Sequence, residues 1–126
     1  MEKQVILTPG TDPAKMTIAP GVRAGNLLFV SGSAGHKNGK VVGPDIESQA
    51  RQAMENLGEV LKAAGTSWDK VVKVGCFLTH SVRDFAGWNK VFKEYFPTNP
   101  PARTTVEAFI AMEGALIEVD LVVIVD

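Results

Sequence analysis

Arg103 is the residue whose type and position most clearly suggest chemistry. It closely follows a proline pair in "NPPARTTVEAF" and stands at the start of an apolar segment. Placing an arginine beside apolar side chains is costly unless an anion pairs with it, and its planar guanidinium suits a carboxylate held at two points. Arg103 could therefore hold the carboxylate of a small ligand. It could also pair with an acid of the protein or lie along the surface on its methylene groups.

Two acids in the last apolar segment form a second pattern. Glu118 and Asp120 in "ALIEVDLVVIVD" are two residues apart, so on a strand they share one face. The position of Glu118 among apolar residues makes it a candidate for a site. The alternative is a solvated strip on an otherwise apolar strand, because acids are seldom fully buried.

The composition limits what these residues could belong to. At 126 residues the chain is expected to form a single domain, residues 1–126. Its formal net charge of −1 provides no long-range attraction to nucleic acid or to an anionic membrane, so neither partner is expected. The sequence shows no signal-peptide pattern and no long apolar run, and its single cysteine excludes an internal disulfide. These features predict a soluble cytoplasmic protein.

No cofactor or metal is expected. His36 and His80 are the only histidines, and together with Cys76, which is expected to be a small buried apolar residue, they do not form a convincing zinc-binding pattern. The glycines of "SGSAGHKNGK" lack the spacing of a phosphate-binding loop.

Hydrophobic patterning predicts alternating strands and helices after an irregular start rich in Pro and Thr. Residues 26–32 suit a buried strand, and Asn38-Gly39 marks a tight turn. A helical stripe of apolar residues over 46–64 predicts the first helix, which Asp45 can cap and Gly65 can end.

The second half of the chain repeats the pattern and ends in two strands. Residues 71–80 favour a strand because of their β-branched side chains. The second helix is expected to begin at Ser81, with Asp84 completing a variant capping box, and to stop at Pro97. Strands at roughly 103–111 and 116–125 are separated by a turn at Gly114, a short connection that favours a hairpin.

This order predicts an α/β fold with right-handed crossovers between parallel strands. Both faces of the last strand are largely apolar, whereas two helices can cover only one face of a four-stranded sheet. The uncovered face predicts a homo-oligomer whose sheets pack face to face.

Several stretches resemble the RidA (YjgF) family of enamine and imine deaminases. They are "VRAGN" followed by "FVSGSAG", "SQARQAMENLGEVLKAAG", "WDKVVKVGCFLTHSVRDFAGWNKVFKEYF", and above all "PPARTTVEAF" with "IEVDLVV". The resemblance implies a chorismate-mutase-like α/β fold, with two helices on one face of a mixed sheet in the strand order first, fourth, second, third. It also implies a homotrimer with its sheets turned inward and its sites in the clefts between subunits.

The activity that the resemblance implies is hydrolysis of small 2-imino acids, formed from 2-enamino acids such as 2-aminoacrylate, to 2-oxo acids and ammonia. By this resemblance Arg103 binds the substrate carboxylate and Glu118 positions the attacking water, with no metal or pyridoxal cofactor. The resemblance implies a pocket lined by backbone groups around Ser31, Gly32 and Thr105, with Asn89 of the second helix close by.

The sequence also departs from the family pattern. Thr105 stands where many relatives carry cysteine, which excludes a mechanism that needs a thiol there. The N-terminal aromatic residue of many relatives has no counterpart in "IAPGVRAGN", and Ser33 replaces a frequent glutamine, so the pocket could be wider or suit another substrate. The alternatives are a non-catalytic trimer that binds small carboxylates as a sensor or carrier, and a chaperone-like or RNA-related role.

Overall fold

A six-stranded sheet, a two-stranded hairpin and two helices make up the computed structural model, which describes residues 1–126. The strands are β1 Lys3–Ile6, β2 Gly21–Ala24, β3 Leu27–Ala34, β4 His36–Lys37, β5 Lys40–Val41, β6 Val71–Leu78, β7 Ala102–Glu107 and β8 Ile117–Ile124. The helices are α1 Ile46–Ala63 and α2 Ser81–Tyr95, and a short 3₁₀ turn, Trp68–Lys70, precedes β6. The sheet order is β1-β2-β3-β8-β6-β7.

The last two strands do not pair with each other, so the hairpin expected from their short connection is wrong. β8 runs antiparallel between β3 and β6, and β7 pairs parallel to β6 on its other side. The connection crosses the end of β6, where the Thr79 backbone N–H donates to the Leu116 carbonyl and the Thr79 hydroxyl donates to the Ala115 carbonyl. The four central strands therefore have the first, fourth, second, third order that the family resemblance implies.

A buried glutamine ties this crossing connection to the helix layer. Gln49 of α1 is 1% exposed, and its amide nitrogen donates to the carbonyls of Gly43 and Gly114. Its side-chain oxygen accepts the Leu116 N–H at 2.7 Å. Because a buried side-chain amide is costly unless it is hydrogen-bonded, these three bonds hold Gln49 in place and stabilise the path that brings β8 into the middle of the sheet.

The N-terminal segment is more regular than its sequence indicates. Instead of an irregular start, β1 and β2 form an antiparallel pair that extends the sheet beyond β3. Each strand has only four residues, too few for a clear alternating pattern in the sequence. The expected four-stranded sheet is therefore a six-stranded one.

Local signals correctly predict the first helix and the tight turn. Asp45 caps α1 by accepting the Ser48 N–H at 3.0 Å, and Gly65, with φ of +75°, follows its end. Asn38 and Gly39, with φ of 54° and 78°, form the turn of the β4–β5 hairpin. These φ values lie in the left-handed region that a type I′ turn requires.

The second helix begins at Ser81 as predicted, but its cap is not the expected capping box. The carboxylate of Glu107, from the end of β7, accepts both the Ser81 N–H and the Ser81 hydroxyl at 2.9 Å. Asp84 is instead 5% exposed and paired with Arg83. A capping group from another element replaces the local one, because β7 ends beside the start of α2.

The strand predicted at 103–111 ends earlier in the structure than the sequence indicates. The expected strand 103–111 is Ala102–Glu107, and Phe109 beyond it is fully exposed. Pairing with β6 ends here: the Ala108 N–H donates to the Leu78 carbonyl, the last residue of β6. The expected strand 116–125 is β8, Ile117–Ile124.

The two helices cover one face of the sheet, as predicted. The residues of β8 that face the helices, together with Val125 beyond it, are at most 2% exposed: Ile117, Val119, Leu121, Val123 and Val125. No helix covers the opposite face, which we call the open face, and Phe29 on it remains 47% exposed. Neither helix has the length and apolar composition needed to span a bilayer.

Candidate functional site

Arg103 lies in β7 with its side chain on the face of the sheet that α2 covers. In the parallel pairing of β6 and β7, Arg103 is opposite Val74 and Thr105 is opposite Cys76, and both β6 residues are fully buried beneath the helices. Because side chains alternate along a strand, Arg103, Thr105 and Glu107 share this side. The sequence thus places a cation at the exposed edge of the helix-covered core.

The guanidinium of Arg103 is held by aromatic rings and one hydroxyl. Its central carbon is 4.8 Å from the centre of the Phe92 ring, 5.3 Å from that of Phe85 and 5.8 Å from that of Trp88. Its Nε donates to the Thr105 Oγ1 at 2.8 Å. Cation–π contacts and this hydrogen bond fix the orientation of the planar fork while leaving its two terminal nitrogens available.

No acid of the chain neutralises Arg103. The five ion pairs involve Arg51, Lys70, Arg83 and Lys90, and the Arg103 side chain makes no other hydrogen bond than the one to Thr105. A half-buried guanidinium without a counter-charge favours an external anion. The alternative that Arg103 pairs with a protein acid is therefore wrong within one chain.

Thr105 supports Arg103 and has a buried cysteine as its neighbour. Its hydroxyl accepts the Arg103 Nε–H, while Cys76 on the adjacent strand is 1% exposed. Burial raises the pKa of the Cys76 thiol, which keeps it protonated at neutral pH. Cys76 is the small buried apolar residue that the sequence predicts.

Asn89 lies on the same side of α2 as the rings that contact Arg103. Phe85, Asn89 and Phe92 are spaced four and three residues apart, which places them along one side of the helix. Asn89 is half-buried and its amide has no hydrogen-bond partner in the chain. Its place in the Arg103 pocket stays a prediction.

Glu118 lies on the open face, as the second residue of β8. It is paired with Ala34 of β3 on one side and Phe77 of β6 on the other, and it is half-buried. Gly32 leaves space for its carboxylate: a Cβ at position 32 would be 3.0 Å from the Glu118 Cδ and Oε2. The glycine therefore lets the carboxylate lie directly against the β3 backbone.

Ser31 and Gly32 occupy an irregular part of β3. The pairing of β3 with β8 shifts between Val30 and Ser33, which is typical of a β-bulge. The Ser31 hydroxyl donates to the Ala19 carbonyl at 2.6 Å, and its N–H donates to the Pro20 carbonyl. The Ser31 hydroxyl is thus engaged with the N-terminal segment, and a cavity of about 400 Å³ between that segment, β3 and α1 contains both residues in its wall.

The candidate residues form two separate groups in one chain. Arg103, Thr105 and Asn89 are on the helix-covered side at the β7 edge, whereas Glu118 and Gly32 are on the open face. β7 and β8 are separated by β6, so their backbones are about 10 Å apart at the usual strand spacing. The structure therefore does not bring Arg103 and Glu118 together within one copy.

Sequence reasoning missed Glu107, which lines a groove beside Arg103. This groove, the Glu107 groove, has a volume of about 460 Å³ and is lined by Ser81, Val82, Phe85, Thr105 and Glu107. The available signal was strand alternation, since Glu107 follows Arg103 and Thr105 at intervals of two. The Ser81 backbone N–H and hydroxyl lower the pKa of Glu107, so this carboxylate is ionised at neutral pH.

Asp120 has a glycine opposite it in the next strand. It pairs with Gly75 of β6, and a Cβ on Gly75 would overlap with the Asp120 carboxylate. Asp120 is half-buried on the same open face as Glu118. No three histidine, cysteine or carboxylate side chains converge in the chain in a way that could hold a metal ion.

Comparisons with known proteins identify the family. Residues 12–125 match the family model described as "Endoribonuclease L-PSP". The mitochondrial protein mmf2 of Schizosaccharomyces pombe is 45% identical over 104 residues, covering 80% of this chain and 82% of that protein. The human 2-iminobutanoate/2-iminopropanoate deaminase is 32% identical over 124 residues, covering 97% and 90% of the two chains.

Solved structures support the same assignment. A protein of unknown function from Yersinia pestis, described as a member of the conserved Rid protein family, superposes with a TM-score of 0.89 at 34% identity, covering 98% of this chain and 100% of that one. Because mmf2 is described as mitochondrial, the expected cytoplasmic location stays a prediction. The family match, the relatives and the shared fold together establish that this chain belongs to the RidA (YjgF) family.

Proposed function

We propose that the chain hydrolyses small 2-imino acids, of the kind formed from 2-aminoacrylate, to 2-oxo acids and ammonia in a homotrimer with sites between copies. The observation that carries the proposal is the Arg103 guanidinium, which is half-buried, oriented by Thr105 and three rings, and without an acidic partner. The name of the human relative, 2-iminobutanoate/2-iminopropanoate deaminase, supports the same class of substrate.

Arg103 binds the substrate carboxylate in this mechanism. Its two terminal nitrogens can form parallel hydrogen bonds to the two carboxylate oxygens, while Nε remains bound to Thr105. Two-point binding fixes the plane of the adjacent C=N bond. Such positioning lowers the barrier because the attacking water then meets a substrate that is already oriented.

Glu118 positions and activates the water. The carboxylate accepts a proton as the water oxygen bonds to the imine carbon, and the nitrogen gains protons as its bond to carbon breaks. The products are a 2-oxo acid and ammonia, so the atoms of imine and water balance without a redox partner. General acid–base assistance of this kind typically contributes about 10²–10⁴ in rate.

The two groups must come from different copies of the chain to act on one substrate. Arg103 and Glu118 project from opposite faces of the same sheet, with β6 between their strands. The open face that carries Glu118 also exposes apolar side chains, including Phe29 at 47% and Val106 at 43%. A second copy seated there would bury this surface and could bring its own Arg103 to Glu118.

Subunit mixing tests both the chemistry and the shared site. Arg103→Ala and Glu118→Gln variants are each expected to lose turnover of freshly generated 2-iminopropanoate, measured as ammonia and 2-oxo acid release. Unfolding and refolding the two variants together is expected to restore activity, because about a quarter of the sites in random trimers combine an intact Arg103 with an intact Glu118 from a neighbour. Native mass spectrometry of the mixture reports the oligomeric state.

Mixed subunits that remain inactive, while wild-type protein survives the same refolding, would show that one copy supplies both residues. A wild-type protein that binds pyruvate through Arg103 but turns over no imine would instead support the carrier alternative. A ribonuclease role, which the family description names, gains no support from a chain with a net charge of −1.

A further inference from the structure

The Glu107 groove has a carboxylate in its wall and a guanidinium beside it. Glu107 lines the groove, whereas Arg103 contacts two of the other lining residues, the Thr105 hydroxyl and the Phe85 ring. Between them the wall is formed by the side chains of Phe85 and Val82, which are 46% and 93% exposed. Because Thr105 lies between Arg103 and Glu107 on β7, the two charges lie on either side of this part of the groove.

Glu107 has acceptor capacity left for a ligand. Its Oε1 accepts both hydrogen bonds from Ser81, while its Oε2 has no partner in the chain. No lysine or arginine of the chain pairs with Glu107. The start of α2 offsets part of its charge, but an oxygen remains free to bind a donor.

The length of the groove sets the length of a matching ligand. Arg103 and Glu107 are four residues apart on one strand, so their Cα atoms are about 13 Å apart at about 3.3 Å per residue. The Arg103 side chain leans toward Thr105 and shortens this gap. An extended arginine-derived 2-imino acid spans about 7 Å from its carboxylate carbon to its guanidinium carbon, given bonds of about 1.5 Å.

We propose that the Glu107 groove selects 2-imino acids with a cationic group at the end of a long side chain, such as the one derived from arginine. The inference rests on the proposed function and deepens it by naming a substrate class. Arg103 binds the carboxylate, the side chain lies along Phe85 and Val82, and the terminal cation reaches Glu107. A neutral side chain of equal length makes the same apolar contacts but leaves Glu107 without a charged partner.

Arginine and citrulline provide a matched test, because their side chains have nearly the same shape and differ in charge. Their 2-imino acids are generated in place by an amino-acid oxidase, and kcat/KM is measured for each. The wild type is expected to prefer the arginine-derived substrate by about two- to fivefold, the range of a solvent-accessible ion pair. Glu107→Gln, whose amide oxygen can still accept from Ser81, is expected to bring that ratio close to one.

Two further variants separate the charge of Glu107 from its role as a helix cap. Glu113→Gln removes a carboxylate from the connection between β7 and β8, outside the groove, and is expected to keep the wild-type preference. Val82→Lys, at a position 93% exposed, adds a cation to the groove and is expected to reverse the preference even if Glu107→Gln fails to fold.

Calorimetric binding of the two corresponding 2-oxo acids is measured in parallel. If no imine is turned over, the proposed deaminase function fails, and the binding ratio still decides the selectivity of the groove. Equal kcat/KM and equal binding for both ligands in the wild type, or an unchanged ratio in Glu107→Gln and Val82→Lys, would overturn the inference. Glu107 would then serve only to cap α2.

Discussion

The Arg103 guanidinium and the Glu118 carboxylate lie on opposite faces of one sheet. Arg103 is opposite the buried Val74 beneath the helices, whereas Glu118 lies between Ala34 and Phe77 on the open face. Neither group can change face without shifting its strand by one residue, which would expose the buried apolar residues of that strand. The separation is therefore a fixed property of the fold and not a matter of side-chain rotation.

Gly32→Ala is expected to lower kcat with little loss of stability. The added Cβ would be 3.0 Å from the Glu118 carboxylate, so the flexible glutamate side chain must move by a few tenths of an ångström. A misplaced catalytic group slows the reaction, here by up to about tenfold, while binding of the carboxylate at Arg103 is retained. Steady-state kinetics on 2-iminopropanoate, together with thermal unfolding, measure the two effects.

Gly58→Ala is the matched control for this glycine. It lies in α1, where a Cβ would make an ordinary 3.6 Å contact with Trp68, and α1 covers the face of the sheet opposite to Glu118. This variant is expected to keep wild-type kinetics. Equal kinetics for Gly32→Ala and wild type would mean that the position of the Glu118 carboxylate does not limit the reaction.

Gln49→Leu is expected to destabilise the fold by about 1–3 kcal/mol, because three backbone groups, in the segment before α1 and in the β7–β8 connection, lose their hydrogen bonds to its side chain. The groups concerned are the Gly43 and Gly114 carbonyls and the Leu116 N–H. Urea unfolding followed by circular dichroism gives the change. Gln52→Leu, which removes only a contact with Asn56 on the same helix, is the control and is expected to change stability by less than about 0.5 kcal/mol.

A destabilisation by Gln49→Leu no larger than that by Gln52→Leu would contradict this account. The connection would then hold its path without the glutamine. A change in the slope of the unfolding curve, without a change in midpoint, would indicate an altered unfolded or native state instead of a lost hydrogen-bond network.

We expect the contribution of Asp45 to the stability of α1 to depend on pH in the acid range. The hydrogen bonds from the Ser48 hydroxyl and N–H lower the pKa of Asp45 below its ordinary value of 3.8. Because the folded pKa is the lower one, the contribution is present above pH 3.8 and is lost as the pH falls through the folded pKa. Thermal midpoints measured between neutral pH and pH 2 should show this loss.

Asp45→Asn keeps a side-chain oxygen that can cap the helix but cannot ionise. The difference between the wild-type and Asp45→Asn midpoints should therefore shrink as the solution is acidified. A difference that stays constant over the whole pH range would show that ionisation of Asp45 does not contribute to the stability of α1.

Interactions between residues that are close in the sequence predict much of the fold and the candidate residues. The Asp45 cap, the Asn38-Gly39 turn and both helical stripes depend on neighbours within a few residues, and all four are found in the structure. Likewise, the family resemblance names Arg103 and Glu118 because the stretches around them are contiguous. Alternation along β7 and β8 fixes which residues share a face with each.

The tertiary structure alone decides which elements meet. The sequence suggests a cap for α2 from Asp84, but a carboxylate from β7, Glu107, takes that place. The short connection after β7 suggests a hairpin, yet β8 pairs with β3 and β6. Strand pairing and capping from another element depend on contacts between residues far apart in the chain, and periodicity shows which residues lie on one face but not what covers it. For that reason the sequence identifies Arg103 and Glu118 as candidates, while only the folded sheet shows that they face opposite ways.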